Sequence, residues 1–541
     1  MSALRQIEAA AIWTVAALDY ELGYLLEPRA RPQGWEPGRK VVARFWRFQH
    51  RVEMRDADVQ AWLADHAGQG AGGIGGVQPS IGESDYCSAV ERIQQFIRDG
   101  DCYQVNFTFP IEFSWFGSPA KVYEALRQRQ PVRYGGFVGN RQAGIVSLSP
   151  ELFLERQGER LLTRPMKGTA ARTEPSETLR QSVKDRAENL MIVDLLRNDL
   201  GKLAEPGSVR VERLFDIEAY PTVWQMVSEV SAKIGRQSIK SVLEALFPCG
   251  SITGAPKIRA MQIIGDLETT ARGLYTGALG WFAPNGDFRL NVAIRTLVLD
   301  GDQRGRMGVG SGIVADSRSD AEWQECLLKA AFVRAGGAGL KLIETLRREN
   351  GVYPMWEGHL ARLRHSAAWF GFPLDEQRLC RELGRQPTKG IWRVRLALDA
   401  SGDIEVVAAE LSGESPGERL AELSEVRIDS RNPLRAHKTT ERHEYDAALK
   451  GLAADSPVFD RLFLNERGEI VEGARSNVFV ERDGVLLTPP VNCGALPGVL
   501  RAGLLAAGKA REAVLYPEDL ADGFWLGNAL RGLVRVRLSA R

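Results

Sequence analysis

Two pairs of acidic side chains recur at a spacing of three residues in stretches with a helical pattern. Asp185 precedes Glu188, Glu322 precedes Glu325, and Lys329 continues the second row four positions later. Residues three or four apart share one helical face, so each pair can present two carboxylates together. Two such helices facing one another would make the all-oxygen site that suits Mg²⁺, which takes one or two carboxylates and a ligand anion. From spacing alone, solvated surface explains either pair equally well.

Glycine-rich turns supply groups that could bind anions near these carboxylates. Residues 249–257 read Cys-Gly-Ser-Ile-Thr-Gly-Ala-Pro-Lys, with Pro256 expected at the first position of a helix. Residues 308–312 read Gly-Val-Gly-Ser-Gly. Backbone N–H groups in such turns, and at helix N-termini, bind anions. With Arg295 they indicate a small substrate that carries two carboxylates, although a Gly-Ser-Gly sequence can also be a simple turn.

One lysine stands in a turn framed by proline and glycine. Lys167 lies in the segment 163–169, Thr-Arg-Pro-Met-Lys-Gly-Thr, after a strand-like run. A lysine acts as a nucleophile only when it is neutral, which requires its pKa to fall about 2–3 units below ~10.4. Taken alone, Lys167 could equally be a surface lysine.

The last 200 residues contain a different set of reactive groups. Lys438 follows a histidine, Glu472 lies in a hairpin-like segment, and glycine-containing turns follow at 496–501 and 527–532. A lysine, a carboxylate and an arginine with turn amides can assemble a pyridoxal phosphate site, in which they bind the aldehyde, the pyridine nitrogen and the phosphate. Each feature alone has a structural explanation, such as a hairpin turn or an arginine on a helix face.

The elements that must position these residues form a mixed pattern of helices and strands. Strands are predicted over residues 103–109, 144–148, 152–155, 278–282 and 291–299. Helices are predicted over 177–197, with Ser176 as N-cap, and over 317–334, with Asp316, Ser317 or Ser319 as N-cap. The pattern predicts large antiparallel or mixed sheets covered by helices.

Length and composition set the domain organisation and the class of protein. A chain of 541 residues exceeds one hydrophobic core, and glycine-rich segments at 68–76 and 336–339 predict a flexible connector and the main boundary. The expected units are an N-terminal lobe (1–76), a catalytic domain (77–336) and a C-terminal domain (340–541). The net charge of +1 gives no attraction to nucleic acid, and no apolar run is long enough for a membrane span. The six cysteines form no CxxC pair, which argues against a zinc site and against a disulfide framework. This usage fits a protein of the reducing cytoplasm.

Residues 80–335 resemble the chorismate-utilising enzymes, a family that includes component I of anthranilate and aminodeoxychorismate synthases together with isochorismate and salicylate synthases. The similarity lies in many motifs that occur in the same order. They occupy residues 100–106, 149–151, 163–169, 184–189, 193–199, 250–257, 272–275, 293–296, 310–317 and 322–325. The resemblance implies a large two-sheet α/β sandwich that binds chorismate.

Two positions within this family indicate which reaction is run. The family's anthranilate synthases carry alanine at the position of Lys167, and its water-adding members carry lysine at the position of Gln104. Both residues therefore imply amination at C4. The resemblance implies that Lys167 attacks C2 of chorismate while the 4-hydroxyl leaves, after which ammonia enters C4. A second route, in which a protonated Lys167 only assists the departure of the hydroxyl, remains open.

The same resemblance implies the remaining roles of the first part. Glu188 and Glu325 would bind Mg²⁺, assisted by Asp185 and Glu322. The substrate would be held by Gln104, Ser251, Tyr275, Arg295, Gly310, Gly312 and Lys329. A histidine of the anthranilate synthases is replaced in the segment 223–228, Val-Trp-Gln-Met-Val-Ser, which leaves the acid for the departing hydroxyl unassigned.

Residues 340–541 are similar to the fold-type IV pyridoxal phosphate enzymes, which include branched-chain aminotransferases and aminodeoxychorismate lyase. The motifs lie at 358–366, 437–442, 465–477, 496–501 and 527–532, and the family's usual opening hairpin is absent. The resemblance implies an α+β domain in which Lys438 binds the cofactor and moves the proton, and Glu472 pairs with the pyridine nitrogen. The phosphate would be surrounded by Arg362, Gly498, Val499 and Asn528.

Together the two resemblances imply an α+β chain that aminates chorismate and then eliminates pyruvate to give 4-aminobenzoate. No Cys-His-Glu assembly for glutamine hydrolysis is found, so a separate glutamine amidotransferase subunit is expected as the ammonia donor, and a homodimer through the C-terminal domain is left open. One alternative is an anthranilate-type enzyme with an unrelated aminotransferase. Another is a degenerate C-terminal module that docks the glutaminase.

Overall fold

The computed structural model describes residues 2–10, 12–36, 41–68, 70–220, 223–334, 339–411, 419–450, 452 and 456–539. Contacts between Cα atoms divide the chain into two compact units. The first comprises residues 1–67, 77–113 and 123–333, and the second comprises 68–76, 114–122 and 334–541. Two short segments of the N-terminal half therefore belong to the second unit. The boundary expected at 336–338 lies outside the described residues.

Helices and strands alternate irregularly up to residue 334. The helices are α1 (Ser2–Ala10), α2 (Leu22–Leu26), α3 (Asp56–His66), α4 (Glu83–Arg98), α5 (Pro119–Arg129), α6 (Ser176–Gln181), α7 (Val183–Gly201), α8 (Ile239–Leu246), α9 (Lys257–Leu267) and α10 (Ser319–Ala330). The strands are β1 (Trp13–Leu18), β2 (Ala43–Phe48), β3 (Gly73–Pro79), β4 (Gln104–Phe116), β5 (Gly136–Gly139), β6 (Gly144–Ser147), β7 (Leu152–Gln157), β8 (Arg160–Arg164), β9 (Met166–Ala171), β10 (Arg210–Ala219), β11 (Val223–Lys233), β12 (Gly254–Ala255), β13 (Ala278–Phe282), β14 (Phe288–Val292), β15 (Thr296–Leu299) and β16 (Arg304–Ile313).

These strands form two sheets. One has nine strands in the order β10-β11-β8-β7-β14-β13-β1-β2, with β9 also paired to β11. The other has seven in the order β12-β4-β16-β15-β6-β5, with β3 also paired to β4. Apolar residues of α7 and α8 form one buried core with apolar residues of the nine-stranded sheet. Two helix-covered sheets are the architecture expected from the sequence.

The helix predicted over 177–197 is two helices in the structure. The chain leaves helical geometry at Ser182, whose φ of −61° and ψ of 111° are extended, and the Ser182 side chain accepts a hydrogen bond from the Asp185 N–H. Ser182 is thus the N-cap of α7, and Ser176 is the first residue of α6 rather than a cap. A serine that can accept this bond stabilises a helix start, which explains the break.

Three other predictions about element boundaries are also wrong. The helix expected over 317–334 begins at Ser319, and Arg318 occupies the N-cap position. Pro256 precedes the first residue of α9 and is not part of that helix. The strand expected over 291–299 is split into β14 and β15, because Arg295 adopts a left-handed backbone conformation with φ of 47°. The strand predicted over 278–282 matches β13.

The second unit continues with four helices and eleven strands among its described residues. The helices are α11 (Trp356–Phe370), α12 (Glu376–Gly384), α13 (His443–Leu449) and α14 (Val499–Ala506). The strands are β17 (Lys341–Glu349), β18 (Ile391–Asp399), β19 (Ile404–Glu410), β20 (Leu420–Ile428), β21 (Val458–Asn465), β22 (Ile470–Gly473), β23 (Asn477–Arg482), β24 (Val485–Thr488), β25 (Ala510–Glu512), β26 (Phe524–Asn528) and β27 (Gly532–Leu538).

These strands also form two sheets, each with its own core. The smaller has the order β17-β18-β19, and the larger has the order β22-β21-β20-β27-β26-β23-β24-β25. Phe116 belongs to the core of the smaller sheet. The predicted flexible connector at 68–76 is instead partly the strand β3, and a Cβ at Gly75 would lie 2.0 Å from the Trp369 ring. None of the helices in the described part of the chain is both long and apolar enough to cross a lipid bilayer.

Candidate active sites

Three of the residues predicted for the first site meet at one point. Lys167 lies on β9, Gln104 begins β4, and Gly312 lies near the end of β16. A Cβ added to Gly312 would lie 2.5 Å from Gln104 Nε2 and 3.6 Å from Lys167 Nζ. Because any larger residue would collide with the glutamine amide, glycine at this position keeps the space in front of the lysine open.

Glu151 is a buried acid beside this group that received no role from the sequence. Ser251 Oγ donates a hydrogen bond of 2.9 Å to Glu151 Oε1. Burial raises the pKa of the Glu151 carboxyl to about 7, although Ser251 and the charge of Lys167 act in the opposite direction. A carboxyl with this pKa exchanges protons at neutral pH, which makes it a candidate acid. Its motif at 149–151 was visible in the sequence, but its contact with Ser251 was not.

Gln225 holds the strand that carries Lys167. Its Nε2 donates to the Gly168 carbonyl at 2.8 Å, and its Oε1 accepts from Thr169 Oγ1 at 3.0 Å. Gln225 lies directly opposite Thr169 in the antiparallel pair of β9 and β11. It falls in the segment where the anthranilate synthases carry a histidine, and its contacts fix the two residues that follow the lysine.

Arg295 presents a cation that has no partner among the residues that the structure describes. Its side chain makes no ion pair or hydrogen bond with any described residue, and burial lowers the pKa of its guanidinium. The residue's positive φ is uncommon outside glycine and marks a constrained backbone. A desolvated, unpaired guanidinium is suited to a carboxylate of the substrate.

Two further predicted residues, Tyr275 and Lys329, are engaged within the protein. Burial raises the pKa of Tyr275, and a Cβ at Gly308 would lie 2.1 Å from its ring. Lys329 Nζ donates to the Gly310 carbonyl at 2.9 Å and pairs with Glu325 at 2.8 Å. Lys329 therefore links α10 to β16, and its predicted contact with substrate stays a prediction, as does that of Gly310.

The four predicted metal ligands divide into two groups. Asp185 accepts a hydrogen bond of 2.5 Å from Ser182 Oγ at the start of α7, and Glu322 accepts one of 2.8 Å from Ser317 Oγ at the start of α10. Both contacts serve the helix ends. The described residues include no group of three or more His, Cys, Asp and Glu side chains arranged to hold a metal.

Glu188 and Glu325, the other two predicted ligands, each contact a lysine four positions away on the same helix. Lys184 lies 4.0 Å from Glu188. Burial tends to raise the pKa of Glu325, but Lys329, Lys167 and Lys184 outweigh it and hold that pKa below its usual value. Two carboxylates are within the number that Mg²⁺ takes beside a ligand anion. The binding of Mg²⁺ by Glu188 and Glu325, with Asp185 and Glu322 assisting, therefore stays a prediction.

The second unit contains a cavity of about 780 Å³. All six residues predicted to bind the cofactor line it, namely Arg362, Lys438, Glu472, Gly498, Val499 and Asn528. Gly70, Ala71 and Gly117, which come from the two N-terminal segments of this unit, line it as well. The volume is in the range of cofactor and ligand pockets.

Lys438 is the titratable amine of this cavity. Burial, together with the charges of Arg362 and Arg442, lowers its pKa from 10.5 to about 8. The Ile343 N–H donates to the Lys438 carbonyl at 2.8 Å, which fixes the backbone at this residue. A lysine with a pKa near 8 has a substantial neutral fraction near neutral pH, and the neutral amine is the form that bonds to a carbonyl carbon.

Glu472 is buried and held from two sides. Tyr445 Oη donates to Glu472 Oε1 at 2.7 Å, and the Leu496 N–H donates to Oε2 at 3.0 Å. Burial raises the pKa of Glu472 despite these bonds. Tyr445 lies on α13, seven positions after Lys438, and no motif in the sequence marked it as part of the site.

Arg362 is oriented by a buried carboxylate. Its Nε and Nη2 donate to the two oxygens of Glu344 at 2.8 and 2.6 Å, and its Nη1 donates to the Pro497 carbonyl at 3.2 Å. Burial alone would raise the pKa of Glu344, but Arg362 and His359 outweigh it and lower that pKa to about 2. Two of the five guanidinium N–H groups remain for an anion.

A helix N-terminus lies beside this arginine. Gly498 precedes the first residue of α14, Val499. A Cβ on Gly498 would lie 1.9 Å from Asn477 Oδ1, so only glycine fits. Helix N-termini bind phosphate through free N–H groups and the helix dipole. With Arg362, Lys438 and Glu472, this end of α14 completes a set of groups that fits pyridoxal phosphate.

Asn528 uses its side chain within the protein. Its Nδ2 donates to the Arg475 carbonyl at 3.0 Å, and its Oδ1 accepts from the N–H groups of Leu530 and Arg531 at 3.1 and 2.9 Å. The side chain therefore shapes the turn between β26 and β27. The predicted contact of Asn528 with the phosphate would therefore be made by backbone groups of this turn.

Comparison with known proteins matches the N-terminal and the C-terminal parts of the chain to two different families. The model of the chorismate binding enzymes matches residues 2–335, and that of the amino-transferase class IV proteins matches residues 341–538. Proteins named aminodeoxychorismate synthase component 1 from Bacillus subtilis and Escherichia coli are both 40% identical over 257 and 256 residues. These alignments cover 46% of this chain and 54% and 56% of the relatives.

An anthranilate synthase component 1 from Haloarcula marismortui is 41% identical over 287 residues, which cover 51% of this chain and 57% of that protein. The chain thus spans about half the length of the curated relatives it matches. The crystal structure of anthranilate synthase component I from Streptococcus pneumoniae superimposes with a TM-score of 0.51 at 26% identity, covering 59% of this chain and 80% of that one. The chain belongs to the chorismate binding enzymes and carries a class IV aminotransferase domain in its C-terminal part.

Proposed function

We propose that the first unit aminates chorismate at C4 and that the second unit eliminates pyruvate from the product to give 4-aminobenzoate. The observation that carries the first step is the placement of Lys167 beside Gln104 and the buried acid Glu151. The relatives in Bacillus subtilis and Escherichia coli, which are named for aminodeoxychorismate synthase, support the same reaction.

In the first step, Glu151 donates a proton to the 4-hydroxyl as the C4–O bond breaks. The Lys167 amine forms a bond to C2, and both conjugated ring double bonds shift, from C1=C2 and C5=C6 to C1=C6 and C4=C5, as the protonated hydroxyl leaves C4 as water. Ammonia then bonds to C4, both double bonds return, the C2–N bond to Lys167 breaks, and the Glu151 carboxylate takes up a proton from the new ammonium group. In the second route, a protonated Lys167 assists the loss of the hydroxyl without bonding to C2.

The other groups of the first unit bind and orient the substrate. Arg295 is assigned to one carboxylate of chorismate, because its guanidinium has no partner among the described residues. Glu188 and Glu325 are the residues that would hold Mg²⁺, which would neutralise the second carboxylate. Gln104 and Gly312 leave room for ammonia next to Lys167.

In the second unit, Lys438 removes the proton from C4 of the aminated ring and delivers a proton to the departing enolpyruvate. Pyridoxal phosphate, when bound, supplies the electron sink for this proton removal. Glu472 keeps a proton at the pyridine nitrogen, and Tyr445 holds Glu472 in place. Arg362 and the N-terminus of α14 bind the phosphate. The ring becomes aromatic as pyruvate leaves, which drives the step forward.

We propose that a separate glutamine amidotransferase subunit supplies the ammonia. The relatives' names identify them as component 1, which supports a second component. We place the reaction in a reducing cytoplasm, because all six cysteines are free thiols.

Product analysis tests both steps. The full chain is incubated with chorismate, Mg²⁺, ammonium and pyridoxal phosphate, and we expect 4-aminobenzoate and pyruvate. Lys438→Ala should accumulate 4-amino-4-deoxychorismate, whereas Lys167→Ala should leave chorismate unconsumed. Formation of anthranilate would refute the C4 assignment and favour the alternative of an anthranilate-type enzyme. Amination without any cofactor absorption band in the visible range would favour the docking-module alternative for the second unit.

A further inference from the structure

Two consecutive residues of β3, the glycine pair Gly75 and Gly76, lie directly against the indole ring of Trp369. A Cβ at Gly75 would lie 2.0 Å from the six-membered part of this ring, and a Cβ at Gly76 would lie 2.8 Å from its Nε1. Gly76 also has a φ of 63°, a conformation that favours glycine. Any side chain at either position would therefore push the indole ring away.

The indole ring belongs to a largely buried aromatic cluster. Its centroid lies 4.4 Å from that of the His437 ring and 6.4 Å from that of Phe116. The ring of Phe370 lies 5.2 Å from that of His437, and a hydrogen bond of 3.0 Å joins Ser366 Oγ to His437 Nδ1. His437 is only 5% exposed, and both phenylalanines are buried as well. Because a protein interior is close-packed, a displacement of the indole ring is passed on to His437.

His437 immediately precedes Lys438 and holds its backbone from one side. The backbone at His437 is extended, with φ of −123° and ψ of 136°, so the side chains of these two residues point in opposite directions. On the other side, the Ile343 N–H donates to the Lys438 carbonyl at 2.8 Å, and Thr439 pairs with Leu342. The lysine backbone is thus fixed between strand β17 and the aromatic cluster.

The position of this backbone matters for the chemistry of Lys438. A lysine that removes a proton must bring its amine within hydrogen-bond distance of that proton. A misplacement of about 1 Å in a catalytic group can cost about a hundredfold in rate. Neither glycine of the pair is among the described residues that line the cavity. The glycine pair therefore reaches the site through packing and not through contact with a ligand.

We infer that the glycine pair positions Lys438 through Trp369 and His437, so that the second active site depends on a strand from the N-terminal half of the chain. The inference rests on the proposed role of Lys438 in binding the cofactor and moving the proton. It adds positioning residues that precede the C-terminal domain by more than 250 positions. A larger residue at Gly75 should impair the second step and leave the amination of chorismate intact.

The test supplies isolated 4-amino-4-deoxychorismate to the full chain loaded with pyridoxal phosphate, so that the first step is bypassed. Gly75→Ala should lower kcat for pyruvate release about 10- to 100-fold with little change in KM, because a catalytic group is displaced and no binding group is lost. Amination of chorismate with ammonium by the same variant should equal that of the wild type. Gly384→Ala, in the same unit, places its methyl in open space and should match the wild type in both steps.

Double variants test the route through the aromatic cluster. Trp369→Leu removes the ring that the added methyl would meet, so Gly75→Ala should have little further effect in that background. His437→Phe keeps a ring in the cluster and should retain more of the wild-type kcat than His437→Ala does. Additive effects of Gly75→Ala and Trp369→Leu, or an equal loss of amination in Gly75→Ala, would overturn the inference.

A measurement without turnover separates the inference from the proposed function. The visible band of the bound cofactor is followed against pH in the wild type and in Gly75→Ala. A displaced amine is better hydrated, so the midpoint of band formation should move upward from about 8. This shift supports the inference even if the wild type releases no pyruvate and the lyase proposal fails. An unshifted midpoint beside normal pyruvate release would overturn the inference alone, whereas a wild type that forms no band would overturn both.

Discussion

Ser251 Oγ donates a 2.9 Å hydrogen bond to Glu151 Oε1, and both side chains are buried. The bond favours the ionised carboxylate, while burial favours the neutral acid, and burial is the larger effect because the pKa of Glu151 rises to about 7. The pair therefore places an acid that is half protonated near neutral pH beside Lys167. A hundred residues of sequence separate the two partners.

The first prediction concerns the pH dependence of amination. If protonated Glu151 is the acid, kcat/KM for chorismate at a fixed concentration of free ammonia should fall as pH rises through about 7. Ser251→Ala should move this midpoint to higher pH, because the bond that favours the carboxylate is lost. Glu151→Gln should lower kcat by about 10²–10⁴, the usual contribution of a general acid. A flat profile in the wild type would exclude this role.

Stability provides the control for these variants. The folded pKa of Glu151, about 7, exceeds its ordinary 4.5. Its neutral form therefore contributes stability that is complete below pH 4.5 and is lost as pH rises through 7. Glu151→Gln removes that loss, so at pH 8 it should unfold at a urea concentration no lower than the wild type does. A large loss of stability would show that its inactivity reflects unfolding.

The second prediction concerns Gln225 as a positioning residue. Gln225→Ala removes the bonds to Gly168 and Thr169 and should lower kcat about tenfold with little change in KM, since each neutral hydrogen bond is worth about 0.5–1.5 kcal/mol. Thr169→Val removes only one of the two bonds and should have the smaller effect. Steady-state kinetics with ammonium measures both. Equal rates in all three proteins would mean that the turn at Lys167 needs no such support.

The site residues that the sequence predicted are those that lie within a short, recognisable motif. Lys167, Lys438 and Glu472 each lie in a segment with a distinctive composition. Glu344 and Tyr445 were missed, because their roles arise from contacts with residues 18 and 27 positions away. Spacing along a helix suggested four metal ligands, but it could not show that Ser182 and Ser317 engage two of them.

The helix boundaries were missed for a related reason. The apolar pattern continues through Ser182, so periodicity alone predicts one helix over 177–197. The helix breaks there because the Ser182 side chain accepts a hydrogen bond from the Asp185 N–H and so caps α7. Two shorter helices satisfy the same apolar periodicity as one long helix, so the cap decides between them. The two segments from the N-terminal half that belong to the second unit were also missed. The glycine-rich composition of 68–76 is typical of a linker, and nothing in the composition of 114–122 indicates contacts with residues more than 200 positions away.

The third prediction concerns the amine of Lys438. Cofactor-free protein should bind pyridoxal phosphate with a visible absorption band whose rate of appearance rises with pH to a midpoint near 8. Arg442→Ala should move that midpoint upward, because one of the cations that lower the pKa is removed. Lys438→Ala should give no such band. A midpoint near 10 in the wild type would mean that the lysine is not desolvated.

The fourth prediction concerns the buried ion pair of Glu344 and Arg362. Glu344 has a folded pKa of about 2, below its ordinary 4.5, so its stabilising effect is complete above pH 4.5 and is lost as pH falls toward 2. Glu344→Gln leaves Arg362 buried without a counter-charge and should reduce the free energy of unfolding at pH 7 by about 3–5 kcal/mol. The loss should shrink at pH 3.5, and urea titrations at both values measure it. Glu376→Gln, which breaks an exposed pair with Arg364, is the control and should leave the free energy of unfolding nearly unchanged, because exposed ion pairs contribute little to stability. If Glu344→Gln proved as stable as this control at pH 7, Arg362 would not depend on Glu344 for its orientation.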